Sequence, residues 1–213
     1  MRALIVVAVL ALGLGARARP AAAEPDNRDL VLVGLAMAPP TYLVGVTLHE
    51  GSHALAAMLV GGDVTEMRLY PGVDPKVHKF RFGWTYVRGL RTRADKQFFY
   101  IAPKLTDALL LGGFAALVLT DTWPRNRYGQ LALTVGATGL WVDFSKDVVL
   151  FSPHNDVVKL FSGWCMTGWK QLPARLVYAS LVVASGYVVA RSYQKTFGQQ
   201  DDVMSVPLLT ASF

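Results

Sequence analysis

The residues best suited to chemistry stand in the run Thr47-Leu48-His49-Glu50-Gly51-Ser52-His53-Ala54. Residues four apart on a helix lie one turn above each other, so the imidazoles of His49 and His53 project from one face and can share one metal ion. Zinc takes such nitrogens at about 2.0–2.1 Å. Glu50, next to the first imidazole, is placed to take a proton from water that zinc has made acidic. The pattern therefore points to hydrolysis, with His49 and His53 as metal ligands and Glu50 as the catalytic base. The bland alternative is a pair of buried histidines bonded between helices without metal. Cys165 is the only cysteine, so there is neither an internal disulfide framework nor a multi-cysteine zinc site. Catalytic zinc typically takes three protein groups, and the later residues able to supply the third are Asp107, Asp143, Asp147, His154 and Asp156.

The elements that must position these residues are those of a membrane protein. Of 213 residues 53% are hydrophobic and only 17% charged, against roughly 25% charged in soluble globular chains. The formal charge of +6 gathers in short stretches between apolar runs, as cytoplasmic loops do, and nucleic acid is not an expected partner. Residues 1–23 combine Arg2, an apolar run and Ala21-Ala22-Ala23 before Glu24, a pattern that fits a signal peptide. Arg17 and Arg19 follow the run, which leaves an uncleaved anchor equally open. Residues 24–190 read as a single membrane domain and 191–213 as a C-terminal tail.

Within that domain Pro39-Pro40 interrupts an apolar stretch, and proline removes backbone donors, so the spacing predicts a short lead-in and then a helix over about 41–60. Gly61-Gly62 ends it. From 63 to 88 the pattern alternates, with turns at Tyr70-Pro71-Gly72 and Asp74-Pro75, and predicts two or three strands of a small β-hairpin region. Arg68, Lys76, Lys79, Arg81, Arg88, Arg91, Arg93 and Lys96 place this region on the cytoplasmic side. Further apolar helices are expected over 97–119, 128–151 and 172–190, for about four transmembrane helices in all. Asn155 and Asp156 are suited to start a short helix between the last two. Asp143 and Asp147, which flank Lys146, either face the metal or a partner helix together or, the preferred reading, form a helix end emerging among headgroups, and His78 reads as a surface residue.

The run HEGSHALAAMLVGGDVTEMRLYPG, residues 49–72, resembles the site-2 protease family of intramembrane zinc metalloproteases. The resemblance implies a Zn2+ cofactor, a membrane-anchored protein or peptide substrate, a place in the lipid bilayer and, by likeness to small bacterial members, the bacterial inner membrane. It also implies that an aspartate from a later helix is the third ligand. Asp156, in Ser152-Pro153-His154-Asn155-Asp156-Val157, matches that position. Two departures stand out. Val157 follows Asp156 where many members carry glycine, and Ala102-Pro103-Lys104-Leu105-Thr106-Asp107 replaces a Gly-Pro-x-x-Asn element. Asp107 is then either a substrate-positioning group or an i,i+3 partner of Lys104. The other readings of the chain are a non-proteolytic membrane protein acting by partner binding, and a metal hydrolase acting on a lipid or other non-peptide bond.

Overall fold

A computed structural model describes residues 25–120, 122–149, 152 and 155–198. The signal or anchor expected over 1–23, His154, and the end of the tail lie outside them. The element order is α1 (Asn27–Leu59), β1 (Asp63–Arg68), β2 (Gly72–Asp74), β3 (Lys79–Arg81), β4 (Trp84–Arg88), α2 (Arg93–Leu119), α3 (Arg127–Val149), α4 (Asp156–Gly163), a 3-10 turn (Gly168–Gln171) and α5 (Leu172–Phe197).

Helix α1 corrects the expected break at proline: its 33 residues run through Pro39 and Pro40 without interruption. The two prolines cost only the bonds to the carbonyls of Leu35 and Ala36. A break in apolar surroundings would orphan more backbone groups than that, and for this reason prolines are tolerated in membrane helices. The helix stops where glycine was expected to stop it. Gly61 has φ 78, and the amides of Gly62 and Gly61 donate back to the carbonyls of Ala57 at 2.8 Å and Met58 at 3.2 Å, a Schellman closure that a left-handed glycine permits.

The chain then pairs β1 with β4 and β2 with β3, both antiparallel, giving four short strands in two two-stranded sheets rather than two or three strands. The β2–β3 hairpin is tied to β4 through buried Asp74. Its carboxylate accepts from the Tyr86 hydroxyl and the amides of Lys76 and Val77, and pairs with Arg81. Burial and the adjacent carboxylate push the Tyr86 hydroxyl up to about 12. His78, at φ 52 in the turn between β2 and β3, is exposed as expected.

Helix α2 opens with a capping box: Thr92 Oγ1 accepts from the Asp95 amide at 3.1 Å, and Asp95 Oδ2 accepts from the Thr92 amide at 2.9 Å. Helix α3 packs against α1, α2 and α5, and α4 against α2. Three described helical segments are long and apolar enough to cross a membrane: 27–59, 93–119 and 168–197. Helix α3 forms where the third apolar segment was expected, but it is not one of these. The fourth apolar segment runs seven residues past its expected end at 190, to Phe197, and takes in the start of the tail.

The distribution of side chains is inverted relative to a water-soluble protein. Leu32, Leu35, Leu55, Leu59, Leu109, Leu176 and Val183 are exposed, whereas Lys104, Asp107, Arg127, Gln130, Asp147, Arg175 and Ser192 are buried. Such an exterior suits lipid, and polar groups turned inward must then satisfy one another. Arg127 does so by donating to the carbonyls of Pro25 and Thr196 and to Asn27 Oδ1, which ties the start of α1 to the end of α5.

Candidate metal centre

The site lies where α1, α3 and α4 approach each other beside α2. His49 and His53 both belong to α1, and their rings meet edge to face with centroids 5.1 Å apart. His53 Nδ1 is 2.7 Å from the carbonyl of Phe99, whose ring stacks on the imidazole. A carbonyl can only accept, so Nδ1 carries a proton, and in the neutral imidazole Nε2 then presents a lone pair. His49 follows the same logic. Its Nδ1 lies 2.9 Å from Asp143 Oδ2, and its Nε2 faces Asp156.

Asp156 Oδ2 lies 3.1 Å from His53 Nε2 and 3.7 Å from His49 Nε2. Donor atoms of all three residues fall within 4.8 Å of one another. Two imidazole lone pairs and a carboxylate oxygen directed at one point need either added protons or a shared cation. Ligands on a tetrahedral zinc stand about 3.3 Å apart, from bond lengths of about 2.0–2.1 Å, and the two separations to Asp156 bracket that spacing. Neutral imidazoles with the far nitrogen bonded to a carboxylate or a backbone carbonyl are the usual supports of a metal ligand. The donor set therefore fits zinc.

Asp156 is the first residue of α4. Asn155 caps that helix, its Oδ1 accepting from the amides of Val157 at 2.9 Å and Val158 at 3.3 Å. The cap holds the carboxylate on ordered backbone, in the role expected for Asn155. Val157 is buried in a cluster with Leu160 and Phe161, which packs α4 onto Tyr100, Ile101 and Tyr178.

Glu50 is 8% exposed. Thr85 on β4 donates to its Oε2 at 2.8 Å and to its carbonyl at 3.2 Å. The strand reaches the helix this closely because Gly83 precedes it. A Cβ there would stand 2.7 Å from Val46 Cγ1, 2.9 Å from the Arg68 carbonyl and 3.1 Å from Glu50 Cγ. Gly83→Val is accordingly expected to push β4 off α1, destabilise the protein by about 1–3 kcal/mol, and impair Glu50 more than metal binding. Thermal unfolding combined with zinc content checks this; a variant of wild-type stability and activity would show that the close approach has no consequence.

One expectation changes here. Asp143 and Asp147 are not a helix end emerging among headgroups: Asp147 is buried, and Asp143 bonds His49. Four residues apart on α3, they share one inward face, and Lys104 of α2 fills the space between them at 2.9 Å from each. Lys146, half exposed, pairs with the outer oxygen of Asp143. Asp107 is buried and 3.4 Å from the Lys104 ammonium, as the i,i+3 alternative has it. Two acidic residues at helical spacing in an apolar segment were the available signal for Asp143. Nothing in the sequence pointed to Thr85 or to the Phe99 carbonyl.

The outward-facing apolar bundle, with three helices able to cross a membrane, thus brings a His-Glu-x-x-His helix and a converging aspartate together. A family model described as Peptidase M50B-like matches residues 30–202, and the chain belongs to that family, a part of the site-2 protease family. No curated protein and no solved structure matches the chain.

Proposed function

We propose that the chain is an intramembrane zinc metalloprotease that hydrolyses peptide bonds of membrane-anchored proteins. The observation that carries the reading is the convergence of His49, His53 and Asp156 within 4.8 Å, beside a Glu50 whose carboxylate is pinned by Thr85. His49, His53 and Asp156 would hold the metal. Zinc bound there supplies Lewis acidity, which polarises the scissile carbonyl and acidifies water. Glu50 accepts the proton of the attacking water and returns it to the leaving amine. Thr85 fixes the rotamer from which it does so. Phe99 and Asp143 hold the imidazoles in the tautomers that leave both Nε2 atoms as ligands.

A helical substrate has its carbonyls already bonded and must be opened before it is cut. The two-stranded sheets over residues 63–88, one of which touches Glu50, have edges able to take up an extended segment by main-chain pairing. Helix α3, packed against α1, α2 and α5, is read as a fourth crossing, and the bacterial inner membrane as the location. The family membership and the pinned Glu50 favour proteolysis over a purely partner-binding role. Purified protein incubated with a panel of membrane peptides tests this, with metal content measured alongside. Cleavage that stops on chelation and returns with zinc is the expected result. Bound zinc with no cleavage of any peptide would favour partner binding, and cleavage indifferent to chelators would sink the mechanism.

The density of Lys and Arg between 62 and 96 predicts that this region faces the cytoplasm. A cysteine placed at Lys79, with Cys165 replaced by Ser, should resist an impermeant thiol reagent in intact cells and react after lysis. Labelling of intact cells would reverse the topology.

A further inference from the structure

Lys104 is buried at 6% exposure, on the α2 turn that follows Pro103. Its ammonium lies 2.9 Å from Asp143 Oδ2, 2.9 Å from Asp147 Oδ2, 3.4 Å from Asp107 Oδ2 and 2.7 Å from the Asp143 carbonyl. Two routes lead from it to the metal donors. By the first, the same Asp143 Oδ2 accepts from His49 Nδ1. By the second, Asp147 Oδ1 accepts from Asn155 Nδ2, and Asn155 caps α4 immediately before Asp156. One ammonium therefore touches both the carboxylate that aims His49 and the carboxylate that anchors the cap beside Asp156.

We infer that Lys104 is a positioning residue that sets the separation between the α1 and α4 donors of the metal centre. The inference rests on the metal-site reading above. Asp143 and Asp147 are like charges on adjacent turns of α3, and in a medium of low dielectric the shared ammonium offsets the repulsion between them. Removing the ammonium lets them repel, which turns the acceptor away from His49 Nδ1 and draws Asp147 from Asn155. Lys146 cannot take over this role, since it is half exposed and reaches only Asp143. The effect is transmitted through bonds to the ligands, as it is for residues that support metal ligands elsewhere, where substitution weakens the metal by about 10–100-fold.

The test uses the full chain purified in detergent. Zinc Kd is measured by competition with a chromogenic chelator, and the visible spectrum is recorded after Co2+ loading, for wild type, Lys104→Met and Asp147→Asn. Lys104→Met is expected to weaken zinc by about 10–100-fold and to alter the Co2+ bands. Asp147→Asn, of equal volume, should weaken zinc by a smaller factor with the same direction of spectral change. A folded Lys104→Met variant with wild-type Kd and spectrum overturns the inference. If that variant does not accumulate, Asp147→Asn decides, and an unchanged Kd there overturns it equally. Failure of wild type itself to bind zinc would instead overturn the metal reading, and is seen without any variant.

Discussion

Glu50→Gln is expected to keep its zinc and lose proteolysis, by about 10²–10⁴-fold, the range general acid–base catalysis commonly contributes. The amide has the size of the carboxylate and can still accept from Thr85, which lies 2.8 Å from Oε2 in the wild type. It cannot take the proton of the attacking water. Glu50 is not among the three grouped donors, so metal content should stay at the wild-type level. Measuring zinc and cleavage on the same preparation separates the two properties. Near-normal cleavage by Glu50→Gln would remove it from the mechanism.

Asp156→Ala should abolish both zinc binding and activity in protein that still folds and inserts. The fold survives because the cap of α4 belongs to Asn155. What Asp156 gives the helix is its charge at the N-terminus, typically 0.3–1 kcal/mol, and a pair with Lys159 at 3.1 Å, a partly exposed contact of the kind that contributes roughly 0–1 kcal/mol. Neither is large enough to unfold a chain with this bundle. Loss of one of three donors, by contrast, leaves two histidines, which are insufficient for a catalytic zinc. Asp143→Ala should weaken zinc by about 10–100-fold without abolishing it, because Asp143 acts through His49. Normal zinc content in Asp156→Ala, with complete loss in Asp143→Ala, would move the third ligand onto α3. His49→Ala and His53→Ala should both behave like Asp156→Ala.

Much of this architecture could be read directly from residue order. The four long apolar segments became helices, because a run of Leu, Val and Ala of that length has few alternatives in an apolar medium. Gly61-Gly62 became the closure of α1, because the left-handed residue of such a closure is usually glycine. Pro39-Pro40 misled for a related reason: proline statistics from water-soluble helices count two lost bonds as a break, whereas apolar surroundings make the break the costlier outcome. Asp143 and Asp147 misled because a flanking lysine looked like a snorkelling residue, while the cation that they actually surround, Lys104, is some forty positions earlier in the chain.

The local pattern by itself determined the helix that carries the motif: two histidines one turn apart and a glutamate between them are set by helical geometry alone, whatever surrounds them. It also determined that Asn155 would cap a helix beginning at Asp156, since that bond joins near neighbours. What brings Asp156 to His53, Thr85 to Glu50 and Lys104 to Asp143 is decided only when α1, β4, α2, α3 and α4 pack together. These contacts span 103, 35 and 39 positions of sequence, and no periodicity carries information over such distances. Tertiary structure therefore decides which groups meet the imidazoles, Asp143, Asp156 and the Phe99 carbonyl, because these partners come from across the interface rather than from neighbours along the chain.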